Sequence, residues 1–169
     1  MRSLLTEFAR SRGARGHRVL AGAGVTSSGR HITASDTTGQ VRAIRTALRS
    51  GGLSPRDVGL VHAHATSTPQ GDLAEADAVA EAVGRHPVVT ATKSMTGHLL
   101  GASGALGAMA TVLALRDGTV PSRRNLDTLD PAIDLDVVSG GPRRGTWTAG
   151  VANSFGFGGH NVSLSFTAA

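Results

Sequence analysis

The chain has 169 residues, which is enough for one ordinary domain, and 40% of them are apolar, which excludes a disordered polypeptide. It contains no cysteine, so disulfides, thiolate metal sites and a cysteine nucleophile are excluded within this chain. The net charge of +5 comes from arginines spread along the sequence, and aromatic residues make up only 3%, which argues against nucleic-acid binding by stacking. We therefore expect a single domain over residues 1–169.

The first third of the chain alternates predicted helices and strands. Apolar residues at helical spacing predict a first helix that ends near Gly13, and residues 17–25 have the character of a strand. Residues 26–39 are rich in Ser, Thr and Gly and predict a loop. Thr38 is a candidate N-cap for the next helix, which ends at Gly51.

A short apolar strand over residues 58–63 leads directly to a polar segment that begins at His64. Further along, Asp72 and Glu75 have the spacing of an N-cap and an N3 acid, which predicts a helix that starts at Asp72. His64 is therefore expected at the carboxyl end of a strand, just before a helix.

The same order occurs a second time. A strand over residues 88–91 precedes Lys93 and His98, and a helix of small residues follows. Lys93 is the only lysine in the chain. Because ligands of open α/β sheets bind at the carboxyl ends of strands, His64, Lys93 and His98 are expected to converge.

The longest uncharged run, residues 94–115, has the length of a membrane span, which needs ~20 mostly apolar residues. It contains a histidine together with serines, threonines and glycines, so we interpret it as a buried helix and expect no membrane insertion. The arginine-rich segment 1–18 lacks the apolar core of a secretory signal and is interpreted as a helix.

The last third is predicted to contain strands over residues 134–138, 147–153 and 162–166. Between the last two lies the glycine-rich segment 153–160, whose composition indicates unusual backbone angles or close approach to a ligand. A phosphate-binding loop is disfavoured because these glycines precede a strand and not a helix N-terminus.

Three segments carry a family resemblance: H-A-H-A-T-S-T-P-Q-G-D at 62–72, T-K-S-M-T-G-H-L-L-G-A-S-G-A at 92–105, and N-S-F-G-F-G-G-H-N at 153–161. In order and spacing they resemble the C-terminal half of the β-ketoacyl-[acyl-carrier-protein] synthases, the elongating condensing enzymes of type II fatty acid and polyketide synthesis. The resemblance implies an α/β thiolase-like fold, with a mixed sheet and helices on both faces. This chain would be one half of a five-layered body that is usually a cytoplasmic homodimer.

The activity implied by the resemblance is an acyltransferase reaction, the decarboxylating Claisen condensation of an acyl thioester with malonyl-acyl carrier protein. The family's nucleophilic cysteine lies in the N-terminal half, so this chain alone is expected to be inactive. The implied partners are acyl carrier protein and a cysteine-bearing synthase half. No metal and no cofactor is expected beyond the phosphopantetheine that the carrier protein brings.

The resemblance also assigns roles to residues. It implies that His64 and His98 are catalytic and donate hydrogen bonds to the malonyl thioester oxygen, and that Lys93 orders them by pairing with Glu75. It further implies a phosphopantetheine-binding role for Thr66 and Thr68 and supporting roles for Asp72 and Phe157, the latter as a gate in the glycine-rich loop.

Two positions depart from the family pattern. His62 stands where the family usually has asparagine, and Ala65 where it usually has glycine. If position 65 has a positive φ, an alanine there costs of order 1 kcal/mol and could shift His64.

Two alternatives remain open at the level of sequence. The chain could be a non-catalytic partner, an interaction module or an inactive truncated remnant of such a synthase. A thiolase-like enzyme acting on coenzyme A is disfavoured because residues 156–160 contain no cysteine. In either case we expect an isolated chain to expose apolar surface that belongs against a missing half and a dimer partner.

Overall fold

A computed structural model describes residues 4–29 and 35–168. Within these ranges the helices are α1 (Leu4–Ser11), α2 (Thr37–Ser50), α3 (Pro69–Ala82), α4 (Lys93–Thr96) and α5 (Ser103–Asp117). The strands are β1 (Val19–Ser27), β2 (Val58–His62), β3 (Val88–Thr90), β4 (Thr119–Val120), β5 (Asp136–Val137), β6 (Arg143–Arg144), β7 (Ala149–Phe155) and β8 (His160–Thr167). Short 3₁₀ turns occupy Pro55–Asp57, Leu100–Ala102 and Phe157–Gly159.

Six of these strands form one mixed sheet with the order β1-β8-β7-β2-β3-β5. β1, β8 and β7 are antiparallel neighbours, whereas β7, β2, β3 and β5 run parallel to one another. β4 and β6 form a separate antiparallel pair. The parallel strands place their carboxyl ends at one edge of the sheet, which is where the predicted site residues follow.

The sheet is buried on both faces. Consecutive residues of a strand point to opposite faces, and in β2 Leu60 and Val61 belong to two different apolar clusters. The cluster that contains Val61 includes residues of α2 and α3, and the cluster that contains Leu60 includes residues of α5. The expected mixed sheet with helices on both faces is therefore confirmed.

The start of α3 differs from the sequence prediction. The helix begins at Pro69, with Thr68 in the N-cap position, so Asp72 is a first-turn residue and not the N-cap. Proline is favoured in the first turn because its missing N–H has no helical partner there. Similarly, α2 begins at Thr37 with Asp36 in the N-cap position, so Thr38 is inside the helix. Part of the loop predicted before it, residues 30–34, lies outside the described residues.

The segment interpreted as a buried helix is buried on one side only. Thr111, Ala114 and Leu115 of α5 face the sheet, whereas Met109 is 52% exposed. Just before α5, Leu100 is 72% exposed. Other large apolar side chains with exposed surface in this region are Met95, Leu99 and Leu113. These five side chains, the α4–α5 surface, agree with the expectation that the isolated chain exposes apolar surface.

In the described part of the chain, the longest apolar helix is still too short or too polar to traverse a bilayer.

The α4–α5 surface predicts dye binding. Replacing Leu100 and Met109 together with glutamine should lower the binding of an environment-sensitive fluorescent dye, because two exposed apolar side chains are removed. The free energy of unfolding should change by no more than about 0.5 kcal/mol per site, as is usual for exposed positions. Dye fluorescence and urea unfolding measure the two quantities.

As a control, Arg42→Gln with Arg49→Gln alters two exposed positions of α2 without removing apolar surface. Dye binding that is already at the level of compact monomeric proteins in the unmodified chain would contradict the interpretation of this surface.

Candidate active site

The carboxyl ends of three parallel strands bring the predicted site residues together. His64 follows β2, Lys93 follows β3 as the first residue of α4, and Phe157 follows β7. Since β2 is parallel to both β3 and β7, all three residues lie at the same edge of the sheet. The expected convergence of His64, Lys93 and His98 is seen in two contacts, one between Lys93 and His64 and one between the rings of His64 and His98.

Lys93 contacts His64 in two ways. Its Nζ donates a hydrogen bond to the backbone carbonyl oxygen of His64 and lies 3.3 Å from Nδ1 of the same residue. A protonated Nζ has hydrogens to donate and no lone pair, so Nδ1 of His64 acts as the acceptor. The proton of the neutral imidazole is then on Nε2.

His98 has the same tautomer for an independent reason. The backbone N–H of Leu100 donates to Nδ1 of His98 at 3.0 Å, and Oγ of Ser103 lies 3.0 Å from the same atom. A backbone N–H can only donate, so Nδ1 of His98 is unprotonated and its neutral ring carries the proton on Nε2.

The two imidazoles lie side by side at one cavity. Their ring centroids are 5.5 Å apart and their planes are inclined by 84°. Both residues line a cavity of about 830 Å³. With each Nδ1 occupied by a protein group, the Nε2–H of each ring is the donor that remains for a ligand.

Glu75 holds the backbone that carries His64. One carboxylate oxygen accepts the N–H of His64 at 2.8 Å and the side-chain amide of Asn153 at 3.1 Å, and the other accepts the N–H of Ala65 at 2.8 Å. Burial raises the pKa of Glu75, and these three hydrogen bonds oppose that shift. Glu75 therefore orders the turn after β2 by binding its backbone amides.

The direct Lys93–Glu75 pair that the resemblance implies is not formed. The ion pairs of the described residues do not include these two, and Nζ of Lys93 contacts His64. The two charges still interact at longer range. Burial lowers the pKa of Lys93, while the negative charges of Glu75 and Asp72 raise it.

The charge state of His64 follows from its surroundings. Burial lowers the pKa of His64 from 6.5 to about 3, and the positive charge of Lys93 lowers it as a second cause. At neutral pH the imidazole is therefore uncharged and can donate a hydrogen bond from Nε2 without the desolvation penalty of a full charge.

The remaining predicted residues lie around the same cavity. Thr66 and Thr68 both line it, and their hydroxyl oxygens are 3.2 Å apart. Asp72 lines the cavity as well, and its carboxylate accepts the backbone N–H of Ser67 at 3.2 Å. Burial raises the pKa of Asp72, against the opposing charge of Arg123.

Phe157 lines the cavity from the glycine-rich loop and is 70% exposed. The residues that follow it, Gly158 and Gly159, have φ values of 74° and 75°. A left-handed backbone of this kind favours glycine, which explains the composition of the loop.

His62 is a site residue that the sequence reasoning noted only as a departure from the family pattern. It is 3% exposed, and its Nε2 lies 3.1 Å from the hydroxyl oxygen of Thr92. Burial lowers its pKa from 6.5 to about 4, with the charge of Lys93 as the second cause. The signal that could have found it is the spacing of His62 and His64, which puts both at the end of the same strand.

Ala65 also departs from the family pattern, and the condition stated for it is met. Its φ is +37°, in the region that favours glycine. The N–H of this residue is one of the two amides that bind Glu75. The carboxylate of Glu75 therefore helps to hold Ala65 in a backbone conformation that is unfavourable for alanine.

Comparison with known proteins places this geometry in a known class. The family described as "Beta-ketoacyl synthase, C-terminal domain" matches residues 17–127. The 3-oxoacyl-[acyl-carrier-protein] synthase 2 of Mycobacterium tuberculosis is 49% identical over 163 residues, which is 95% of this chain and 39% of that protein. The namesake protein of Mycobacterium leprae is 50% identical over 169 residues, covering 96% of this chain and 40% of that protein.

Solved structures give the same result. The ishigamide ketosynthase/chain length factor superimposes with a TM-score of 0.92 at 35% identity, covering 96% of this chain and 41% of the other. A second match is AntDE:AntF, described as a type II polyketide acyl-carrier protein in complex with its ketosynthase bound to the hexaketide, with a TM-score of 0.91 at 30% identity and the same coverage. The fold is thus that of the thiolase-like ketosynthases.

The chain belongs to the β-ketoacyl synthase C-terminal domain family. It spans about two fifths of the length of the relatives it matches. The resemblance that three motifs indicated is therefore confirmed, both for the family and for the extent of the chain as one C-terminal half.

The strain at Ala65 predicts a stabilising substitution. Ala65→Gly should raise the free energy of unfolding by about 1 kcal/mol, because glycine adopts a positive φ without a steric penalty. Urea unfolding of the two proteins measures the difference. The control is Ala63→Gly, at a nearby buried position without a positive φ, which should lower the stability. A loss of stability in Ala65→Gly would show that the turn is not strained.

The buried histidines predict sensitivity to acid. His62 has a folded pKa of about 4 and an unfolded pKa near 6.5, so the unfolded chain binds more protons between these values. The contribution of His62 to stability is present above pH 6.5 and is lost as the pH falls towards 4, by up to ~3 kcal/mol.

The measurement is the free energy of unfolding between pH 7 and pH 4. His62→Gln should flatten this dependence because glutamine does not titrate, whereas substitution of the exposed His86 by glutamine should leave most of it in place. Equal pH dependence in the unmodified chain and in His62→Gln would contradict the assignment of a depressed pKa.

Proposed function

We propose that this chain is the histidine-bearing half of a β-ketoacyl-acyl carrier protein synthase of fatty acid or polyketide biosynthesis. In this role it takes part in the decarboxylating Claisen condensation of an acyl thioester with malonyl-acyl carrier protein. The nucleophilic cysteine comes from the N-terminal half of such a synthase, because these 169 residues contain none.

The observation that carries the proposal is the pair formed by His64 and His98. Two neutral imidazoles lie 5.5 Å apart at one cavity, and each has its Nδ1 engaged by a protein group. The tautomer of both rings is thereby fixed with the proton on Nε2. The arrangement provides two donors for a single oxygen atom that gains negative charge.

Decarboxylation of malonyl thioester creates such an oxygen. The bond between the carboxylate carbon and the α-carbon breaks, carbon dioxide leaves, and the electron pair moves into an enolate whose charge rests on the thioester oxygen. Preorganised hydrogen-bond donors stabilise developing charge of this kind by about 3 kcal/mol each. The enolate carbon then attacks the acyl thioester held on the cysteine of the other half.

The support for the two histidines comes from Lys93 and Glu75. Lys93 fixes the tautomer of His64, and its charge helps to keep that ring neutral. Glu75 fixes the backbone at His64 and Ala65. Both residues act on the orientation of the donor and do not contact the substrate in this mechanism.

Thr66 and Thr68 are proposed to bind the phosphopantetheine arm that carries the substrate. Their hydroxyl groups line the cavity beside the histidines and offer both donors and acceptors to the amides of phosphopantetheine. Asp72 supports them by accepting the N–H of Ser67 between them. Phe157 acts as a gate, and the left-handed glycines after it allow the loop to move.

The proposed partners follow from the same assignment. Acyl carrier protein brings both substrates. In support, the AntDE:AntF structure contains an acyl-carrier protein in complex with its ketosynthase. The α4–α5 surface contacts the cysteine-bearing half in this proposal. The complete enzyme is proposed to be a cytoplasmic dimer with no cofactor of its own. A non-catalytic partner or an inactive remnant is the alternative, and the strained Ala65 beside His64 is the observation that favours it.

A chimera tests the proposal. The N-terminal part of the Mycobacterium tuberculosis relative that this chain does not match is joined to the chain, and both carbon dioxide release and formation of the condensation product are measured with acyl- and malonyl-acyl carrier protein. We expect activity in the chimera and none in the chain alone. His64→Ala and His98→Ala should each lower the rate of release by about 10² to 10³, as the loss of one donor does in other enzymes.

His86→Ala provides the matched control, because His86 is exposed and does not line the cavity. Condensation by the chain alone would refute the need for a second half. A folded chimera that releases no carbon dioxide would favour the non-catalytic alternative.

A further inference from the structure

His62 is a buried histidine whose side chain is only partly satisfied. The ring is 3% exposed, its Nε2 contacts the hydroxyl of Thr92, and its Nδ1 is buried without any hydrogen-bond partner among the described residues. A polar atom buried in this way is unfavourable. An apolar residue of similar size would avoid the penalty, so a physical reason for an imidazole must lie in what Nε2 contacts.

Nε2 of His62 contacts the residue at which α4 begins. The backbone carbonyl oxygen of Thr92 accepts the N–H groups of Met95 and Thr96 and so opens that helix. Lys93 is the next residue, and its Nζ contacts both Nδ1 and the carbonyl oxygen of His64. The contact at Thr92 therefore fixes the base of the side chain that orients His64.

His62 is also connected, through the backbone, to His64, the other partner in the contact with Lys93. It is the last residue of β2, and it pairs with Thr90 at the end of β3. His64 lies two positions further along the chain. A single ring thus links the two segments whose relative position determines the distance between Lys93 and His64.

The space for this ring is provided by Gly107 of α5. A Cβ placed on Gly107 would lie 3.0 Å from Nδ1 and 3.1 Å from Cε1 of His62, which is closer than ordinary packing allows. Gly107 has no positive φ, so its backbone does not require glycine. Its absence of a side chain is explained by the histidine that packs against it.

We propose that His62 is a positioning residue that holds Thr92, and through it Lys93, in contact with His64, and that Gly107 is its matched partner. The neutral ring of His62 carries its proton on Nε2, and this N–H donates a hydrogen bond to the hydroxyl oxygen of Thr92. This tautomer leaves Nδ1 with an unused lone pair and avoids a buried N–H without an acceptor. The importance of His62 for catalysis rests on the proposed function, whereas its effect on Lys93 does not.

Because Lys93 is the only lysine, labelling with ¹⁵N-lysine gives one side-chain signal for the site. The pKa of Lys93 is measured by NMR in the full chain and in two variants. His62→Leu keeps the volume but cannot bind Thr92, and it should release Lys93 into solvent and raise its pKa by about one unit. His62→Gln places a donor near the position of Nε2 and should leave the pKa of Lys93 close to that of the unmodified chain.

The charged and titratable groups that interact with Lys93 are His62, His64, Glu75 and Asp72, and beyond them His98 acts on His64 and Arg123 on Asp72. Both variants change only His62, whose pKa of about 4 leaves it uncharged where Lys93 titrates. A folded His62→Leu protein with an unshifted Lys93 would overturn the proposal. Equal shifts in the leucine and glutamine variants would overturn it as well, since the effect would then be one of shape and not of the hydrogen bond.

Gly107→Ala tests the pair without altering His62 and serves also if the leucine variant does not fold. In a helix this change normally increases stability. Here it should lower the midpoint of urea unfolding and raise the pKa of Lys93, because the ring is displaced. In the His62→Asn background, where the side chain is smaller, the same change should raise the midpoint.

Equal effects of Gly107→Ala in the two backgrounds would overturn the pairing of His62 with Gly107. These measurements use the chain alone and involve no turnover, so they can succeed or fail independently of the chimera experiment. A chimera that is inactive while Lys93 responds as expected would refute the proposed function and leave the positioning role in place.

Discussion

The contact between Lys93 and His64 is the interaction on which the site depends. It joins the carboxyl ends of two parallel strands that are also held together by their backbone ladder and by the contact between His62 and Thr92. Because the ammonium both donates to the backbone of His64 and occupies its Nδ1, one side chain sets the tautomer of the imidazole, and its charge adds to burial in lowering the pKa of that ring. An arginine could not replace it simply, since a planar guanidinium needs more room and a different donor geometry.

The turn after β2 is determined by a second polar connection that starts in the core of the sheet. The hydroxyl of Ser163 donates to the side-chain oxygen of Asn153 at 2.6 Å, and the amide of Asn153 donates to Glu75. Glu75 in turn accepts the amides of His64 and Ala65. The turn at His64 is thus connected through α3 and β7 to β8 by hydrogen bonds that are buried at Asn153 and half-buried at the turn, and each would be costly to leave unmade.

Much of this arrangement could be predicted from the sequence. The convergence of His64, Lys93 and His98 follows from the rule that ligands of open α/β sheets bind at the carboxyl ends of strands. The family could be predicted from three sequence motifs. The predicted start of α3 was wrong because Asp72 and Glu75 have the spacing of an N-cap and an N3 acid, whereas the helix begins earlier, at Pro69. Glu75 is needed elsewhere, as the acceptor for two loop amides.

Other features could not be read from local patterns. The size match between His62 and Gly107 joins two elements far apart in the chain, and neither residue is unusual for its own strand or helix. Likewise, α5 is apolar on most sides, so its sequence does not reveal that one side is open in this chain. The open side is seen only in the exposed surface of Met109 and Leu113.

The binding of two consecutive amides by Glu75 has a consequence for how the site responds to solvent. The N–H groups of His64 and Ala65 lie in a connecting segment, yet each is held by a carboxylate oxygen of Glu75, which is buried. Deuterium should therefore replace these two protons as slowly as those of the central strands, and much more slowly than those of ordinary turns. The segment that carries His64 would then be as well ordered as the sheet itself.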